Sequence, residues 1–126
     1  MPNNIVTWFE IYVIDIDRAK TFYETVMGKT LTQMPMPEEM GITMLAFPWS
    51  EDGMGAAGAL VKSDMRTPNA EGTIVYFDSE DCDIELSRVE GAGGHIIFPK
   101  TPAGEYGFFC MFSDTEGNTV GFFSKK

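Results

Sequence analysis

The sequence predicts an α+β fold in which two tandem βαβββ modules form one curved mixed sheet with the helices outside. Two observations predict it: a strand runs directly into a capped helix near the N-terminus, and the same order of elements returns in the C-terminal half. At 126 residues the chain has the length of one domain. We expect a single domain, 1–126, with modules of approximately 1–63 and 71–126 joined by a linker over 64–70.

The first predicted strand runs from Thr7 to Val13. Side chains alternate between the two faces of a strand, and the odd-numbered side chains from Phe9 onward are all apolar, which suits packing against a helix. The other face carries Trp8, Glu10 and Tyr12. An aromatic and acidic face opposite an apolar one predicts that this strand separates the core from a cavity.

A helix is predicted after this strand, with Asp17 as its N-cap and Gly28 as its left-handed C-terminal stop. Its apolar residues recur with helical spacing and form one stripe: Ala19, Phe22, Tyr23, Val26 and Met27. Strands over 29–34, 41–47 and 54–61 complete the module. The residues Met34–Met40, which include three methionines, form either a mobile flap over the cavity or a plain loop.

The second module repeats this order. Strands are predicted over 73–77, 95–98, 107–112 and 118–123, and the helix begins at Asp81 or Asp83 and ends in the glycine run 91–94. A shift of about 66 residues superposes cap, stop and turn residues of the two halves: Thr7 on Thr73, Asp15 on Asp81, Asp17 on Asp83, Glu24 on Glu90, Gly28 on Gly94, Gly41 on Gly107 and Gly55 on Gly121.

Composition excludes several classes of partner. A formal net charge of −10 is unfavourable for binding nucleic acid or an anionic membrane surface, and no apolar run is long enough to span a membrane. Cys82 and Cys110 lack the spacing of a zinc site or a disulfide framework. We therefore expect a reduced cytoplasmic protein without a cofactor, whose partner is a small molecule.

Several motifs together resemble the vicinal oxygen chelate superfamily, which includes glyoxalase-type lyases, extradiol dioxygenases and bleomycin resistance proteins. They are the segment Val13–Ala19 with Phe22, Tyr23 and Gly28, and in the second half Gly93-Gly94, Pro99–Pro102 and Asp114–Asn118. In that last turn Thr115 departs from the common Asp-Pro-x-Gly-Asn pattern. The resemblance implies the paired-module fold and a homodimer, with cavities within or between chains.

The resemblance also implies where a divalent metal would be bound in the enzymes of the family. Carried over residue by residue, those positions fall on Trp8, Ile74, Gly121 and a residue near Ala57. None of these side chains offers the oxygen or imidazole donors that a divalent ion needs. We therefore predict no metal site.

Glu10 is the leading candidate for chemistry, with three roles left open. It acts as a general base, as an ionised anchor for a cationic ligand stacked on Trp8, or as a structural acceptor of a hydrogen bond from Tyr76 or a backbone amide. The remaining candidate ligand-binding residues share the predicted face of Glu10, with ordinary core packing as the alternative: Trp8, Tyr12, Met44, Tyr76, Cys110, Phe112, Gly121 and Phe123.

Two function hypotheses follow. The first is a metal-independent binding protein of the bleomycin-resistance type that sequesters a cationic or aromatic ligand with Trp8, Glu10 and Tyr76. The alternative is a glyoxalase-like lyase or isomerase with Glu10 as its base, or a metal-dependent lyase if the strand register differs from the predicted one. His95, the only histidine, follows two glycines at a strand start and needs no function there.

Overall fold

The first module has the predicted order of one strand, a helix and three further strands. The computed structural model describes residues 4–126. The elements of the first module are β1 Trp8–Tyr12, α1 Ile16–Met27, β2 Thr32–Met34, β3 Ile42–Ala46 and β4 Ala57–Ser63. A 3-10 turn, Glu38–Met40, lies between β2 and β3.

The second module repeats the same order. Its elements are β5 Tyr76–Ser79, α2 Cys82–Val89, a 3-10 turn Glu90–Ala92, β6 His95–Pro102, β7 Phe108–Ser113 and β8 Thr119–Ser124. Each predicted strand is present, with ends shifted by up to four residues. The α+β class and the two βαβββ units are confirmed.

The strands form two four-stranded sheets of matching topology. Their orders are β1-β4-β3-β2 and β5-β8-β7-β6. In each sheet the first strand of the module pairs in parallel with the last one, and the other pairs are antiparallel. The single mixed sheet expected from the sequence is thus divided into two hydrogen-bonded sheets in the part of the chain described.

The helix caps differ slightly from the prediction. Asp15, not Asp17, is the N-cap of α1, because its carboxylate accepts the Arg18 backbone N–H at 3.0 Å. Asp17 lies within the first turn, where a negative charge still favours the helix dipole. Asp81 caps α2, as one of the two predicted alternatives, and Gly28 ends α1 with a φ of 67°.

One hydrophobic core joins both modules on the helix side of the sheets. Phe77 of β5 is central to it: its ring centroid lies 5.2 Å from Phe47 and 5.8 Å from Phe9, both of the first module, and 5.7 Å from Phe122. Tyr23 of α1 packs edge-on against Phe47 at 5.7 Å. Because side chains of the two modules interlock in this core, we expect the modules to fold as one unit.

The register of β7 contradicts part of the predicted site. Cys110 pairs with Phe122 and Phe112 with Val120, and both side chains are fully buried on the helix side. Their predicted place on the open face of the sheet is wrong. That place is taken by Phe109, Met111 and Ser113, the residues of β7 with the opposite parity, since a one-residue difference in register transfers every side chain to the other face.

Cys110 and Phe112 were assigned to the wrong face because the internal repeat is irregular by one residue. Tyr12 and Asp78 are counterparts, 66 residues apart, in the first strand of each module. In the first sheet, Tyr12 pairs with Val61, which pairs with Met44. In the second sheet, Asp78 pairs with Phe123, which pairs with Phe109. Phe109 therefore lies 65, not 66, residues after its counterpart Met44. The connections that lead into β3 and β7 differ by one residue, which a gapless comparison of the halves does not detect.

A buried carboxylate connects the turn before β8 to the start of α1. Glu116 accepts the backbone N–H groups of Ile14 and Asp15 at 2.9 and 2.8 Å and two hydrogen bonds from the Arg18 guanidinium. Burial by itself raises the pKa of the Glu116 carboxyl, but the hydrogen bonds from Arg18 and the two amides outweigh burial and lower that pKa to about 2.

A second buried carboxylate in the same turn contacts the core. Asp114 accepts the Tyr23 hydroxyl at 2.6 Å and the backbone N–H groups of Glu116 and Asn118 at 2.8 and 2.9 Å. Burial, together with the charge of Asp114, raises the pKa of Tyr23 well above 10.0, so this hydroxyl remains a donor.

The helices among residues 4–126 are all too short or too polar to cross a membrane.

Candidate functional site

The open face of β1 carries a hydrogen-bonded row of three side chains. Trp8 Nε1 donates to Glu10 Oε2 at 3.1 Å, and the Tyr12 hydroxyl donates to Glu10 Oε1 at 2.6 Å. The alternation predicted from the sequence is therefore correct for these three residues. The hydrogen bonds hold both aromatic rings in fixed positions on either side of the carboxylate.

The expected hydrogen bond from Tyr76 to Glu10 is not formed. Tyr76 does not donate to Glu10; its ring lies against Gly121 and packs edge-on against Phe109, with 6.3 Å between the ring centroids. A Cβ on Gly121 would lie 2.6 Å from the Tyr76 ring. Gly121 thus makes room for an aromatic side chain, which explains why a glycine is needed at this position.

Trp8 opens into a cavity of about 400 Å³, which we call the tryptophan cavity. Trp49, on the loop between β3 and β4, lines it as well and is 62% exposed. The other lining residues are small or polar, apart from Met34: Thr7, Ser50, Glu51, Gly53, Gly55 and Ala57. An adjoining cavity of about 470 Å³ shares Trp49 and the glycine-containing loop and extends to Phe9, Phe77 and Asp78.

Trp49 was not among the residues selected from the sequence, because the sequence around it predicts only a turn. A signal was nevertheless present. Trp49 is one of only two tryptophans, and it stands in a polar, glycine-rich loop that offers no strand or helix to bury it.

A second cavity, of about 370 Å³, begins at the other end of the same row; we call it the Arg66 cavity. Glu10 and Tyr12 form its wall on β1, and the Arg66 guanidinium carbon lies 5.9 Å from the centre of the Tyr12 ring. Its polar lining is completed by Thr67, Asn69, Thr73, Asn118 and Thr119. The hydrogen bond to Glu10, with burial and the carboxylate charge, raises the pKa of Tyr12, and Arg66 opposes this.

The remaining predicted residues lie apart from both cavities. Met44 is buried in a small cluster with Ala59 and Val61 that packs against Tyr12. Phe123 is half-buried opposite Phe109. Cys110 and Phe112 belong to the core, as described above. That any of the predicted residues binds a ligand stays a prediction.

The side chains at the family's metal positions do not fit a metal ion. Trp8 pairs with Ala57 across β1 and β4, and Gly121 pairs with Tyr76 across β8 and β5. An indole, a methyl group and a bare backbone supply no donor for a divalent ion. Residues 4–126 also contain no cluster of three or more His, Cys, Asp or Glu side chains with suitable geometry.

The fold and the sequence are similar to those of known proteins. The crystal structure of TnmS3, an antibiotic binding protein from Streptomyces sp. CB03234, is 26% identical with a TM-score of 0.68, over 100% of this chain and 99% of that one. Glyoxalase I from Zea mays is 19% identical with a TM-score of 0.70, over 94% of this chain and 45% of that one, which indicates a common fold.

A relative found by sequence comparison is the anthracycline biosynthesis protein DnrV of Streptomyces peucetius, 28% identical over 123 residues. The match includes 87% of this chain and 43% of that protein, so the chain spans less than half the length of the curated relatives it matches. The family model for the glyoxalase/bleomycin resistance protein/dioxygenase superfamily matches residues 5–122. The chain therefore belongs to the glyoxalase/bleomycin resistance protein/dioxygenase superfamily.

Proposed function

We propose that this protein is a metal-independent binding protein that sequesters a planar aromatic ligand, preferentially a cation, in the tryptophan cavity. The observation that carries the proposal is that Trp8 and Trp49, the two tryptophans of the chain, line the same cavity. Indole faces stack on planar ligands and attract cations through the ring quadrupole.

Charge supports a cationic ligand. Glu51 lines the tryptophan cavity, and Glu10 holds the Trp8 indole by its N–H group. Lysine and arginine do not occur among the described residues that line this cavity. The net charge of −10 adds a long-range attraction for cations. TnmS3, which resembles this chain along its full length, is an antibiotic binding protein.

Tryptophan fluorescence tests the proposal directly, since both fluorophores lie at the site. The protein is treated with EDTA and titrated with proflavine, a planar tricyclic cation, and with the neutral analogue acridone. We expect saturable quenching by both compounds. Glu10→Gln should weaken proflavine binding about tenfold, because it removes the negative charge next to the Trp8 indole, and leave acridone binding nearly unchanged.

Two controls make the test specific. Glu105→Gln removes an equal charge from the exposed turn before β7 and should leave both affinities unchanged. Trp49→Ala should abolish or strongly weaken binding of both compounds. Absence of quenching, or full affinity in Trp49→Ala, would refute the proposed cavity. Turnover of 2-oxo acid or thiol-adduct substrates that is lost in Glu10→Gln would favour the lyase hypothesis instead.

We also propose that the protein forms a homodimer, as the family resemblance implies. The edge strand β6 exposes the successive apolar side chains of Ile96, Ile97 and Phe98, which are 38–49% accessible. A second copy would remove this apolar surface from water. Light scattering after size-exclusion chromatography distinguishes the 14.0 kDa monomer from a dimer, and a monomer at micromolar concentration would contradict this proposal.

A further inference from the structure

The Arg66 cavity differs in chemistry from the tryptophan cavity, although both open from β1. The first is bounded by a guanidinium group, a carboxylate, hydroxyl groups and amides, whereas the second is bounded mainly by two indoles and small residues. Trp8 and Tyr12 are four residues apart on one strand, which corresponds to roughly 13 Å. One extended ligand can therefore reach both cavities.

Arg66 is an exposed cation at the edge of this cavity. It forms no ion pair among residues 4–126, although acidic residues outnumber basic ones two to one in the chain. The β-bridge between Arg66 and Ser63 holds its backbone, and its guanidinium carbon lies 5.9 Å from the centre of the Tyr12 ring on the exposed side of the cavity. A guanidinium without a carboxylate partner has donors available for a ligand.

The neighbouring loop is held firmly as well. The backbone N–H of Asn69 donates to Asn118 Oδ1 at 3.1 Å, and Thr119 Oγ1 donates to the Ala70 carbonyl at 2.9 Å. These contacts attach residues 69–70 of the expected linker to the start of β8. The wall of the cavity is therefore formed before a ligand arrives, which lowers the entropic cost of binding.

Charge balance defines the kind of group that fits. Arg66 and Glu10 lie on the two sides of Tyr12, one contacting its ring and the other its hydroxyl. A bound anion would be repelled by Glu10, and a bound cation by Arg66. A neutral group that both donates and accepts hydrogen bonds satisfies the two charges together with the hydroxyls of Thr67 and Thr73.

From these contacts we infer that the ligand has two parts: a planar aromatic ring system bound in the tryptophan cavity and a neutral, hydroxyl-rich substituent of the glycosyl type bound in the Arg66 cavity. This inference rests on the proposed function, because the aromatic part occupies the cavity proposed there. Trp8 lines the tryptophan cavity, and Glu10 and Tyr12 line the Arg66 cavity, so the hydrogen-bonded row on β1 connects the two cavities.

The test uses three planar aromatics, umbelliferone, 7-hydroxyflavone and 1,8-dihydroxyanthraquinone, each as the free phenol, the O-glucoside and the O-glucuronide. Affinities are measured by tryptophan fluorescence and calorimetry at pH 6.5, with proflavine as the reference for the tryptophan cavity. For at least one aromatic, we expect the glucoside to bind about tenfold more tightly than the free phenol. The glucuronide, which adds a carboxylate, should bind more weakly than the glucoside.

Two variants localise the effect. Arg66→Ala should bring the glucoside to within about twofold of the phenol and leave the phenol and proflavine unchanged, and Thr73→Val should reduce the glucoside advantage without removing charge. Lys62→Ala, an exposed cation on β4, is the charge-matched control and should behave as the wild type.

The outcomes separate this inference from the proposed function. If proflavine and the phenols bind but no glucoside binds more tightly, or the advantage persists in Arg66→Ala, the two-part ligand is refuted and the tryptophan cavity remains. If a glucuronide binds more tightly than its glucoside, the neutral character of the group is refuted. If neither proflavine nor any of the phenols and conjugates binds, the proposed function fails and this inference fails with it.

Discussion

Arg18 and Glu116 are joined by two hydrogen bonds, from Nε to Oε2 at 2.6 Å and from Nη2 to Oε1 at 2.9 Å, across 98 residues of sequence. The carboxylate is fully buried while the guanidinium is half-exposed. A paired guanidinium with two parallel hydrogen bonds is among the strongest polar contacts available in proteins. This contact holds the first turn of α1 against the second module. The end of β1, which leads directly into α1, is thereby positioned as well.

Glu116→Gln should destabilise the protein by about 2–4 kcal/mol, because it removes the charge that satisfies Arg18 and the two helix amides. Urea unfolding followed by circular dichroism measures the change. Glu39→Gln, an exposed carboxylate in a 3-10 turn, is the control and should lie within about 0.5 kcal/mol of the wild type. If Glu116→Gln behaves like this control, the contact does not hold the modules together.

The same residue predicts how stability depends on pH. The pKa of Glu116 is about 2 in the folded protein and close to 4.5 when unfolded, so its contribution is complete above pH 4.5 and is lost as the pH falls towards 2. The free energy of unfolding of the wild type should decrease over this range more steeply than that of Glu116→Gln. Parallel curves for the two proteins between pH 5 and 2 would contradict the assignment.

Gly121→Ala should destabilise the protein by about 1–3 kcal/mol, because the new methyl group would collide with the carbonyl oxygen of Cys110 and with the Tyr76 ring. The NMR signals of the Tyr76 ring should shift at the same time. Gly91→Ala is the matched control, since a Cβ there meets no atom within 4 Å and the backbone is not left-handed. Equal stability of the two variants would show that the close packing at Gly121 is unimportant.

The Cys110 thiol should be unreactive in the folded protein. Burial raises the pKa of this thiol to about 12, so that at pH 8 only about one Cys110 side chain in ten thousand is ionised to the thiolate. Mass spectrometry after iodoacetamide treatment at pH 8 should find Cys110 unmodified in native protein and modified after unfolding in urea. Rapid modification of Cys110 without unfolding would place it on an accessible face, as the sequence had suggested.

The Tyr12 hydroxyl should titrate above its ordinary range in the wild type and closer to it in Glu10→Gln. The hydrogen bond to the Glu10 carboxylate raises the pKa of Tyr12, with smaller contributions from burial and charge. Ring-carbon NMR shifts of the four tyrosines, followed from pH 8 to 12, provide the measurement. An unchanged Tyr12 titration in Glu10→Gln would show that the two side chains are not hydrogen-bonded in solution.

Much of this architecture could be predicted from local sequence patterns. The alternation along β1 placed Trp8, Glu10 and Tyr12 on one face correctly, because neighbouring side chains of a strand must point to opposite sides. Gly28 was recognised as a helix stop for a similar reason, since its φ of 67° is one that glycine adopts without strain. The repeat of these signals in the second half was enough to predict two βαβββ units.

Predictions that depended on extending one pattern into another element were less successful. The gapless repeat made Cys110 the counterpart of Met44, but the connections before β3 and β7 differ by one residue, and Cys110 lies in the core. Asp17 was selected as the helix cap although Asp15 has that role. The first error is a register shift of one residue, which transfers a side chain to the other face of the sheet. The second error displaces the helix cap by two residues.

The sequence by itself determined the elements, their order and the composition of the β1 face, because these depend on neighbouring residues. Only the tertiary structure decided that Trp49 joins Trp8 at one cavity, that Arg66 borders a second one and that Glu116 binds the start of α1. These side chains come from loops and turns between 41 and 102 residues away from their partners. Which residues meet over such separations is set by the packing of the two modules, and no local spacing encodes it.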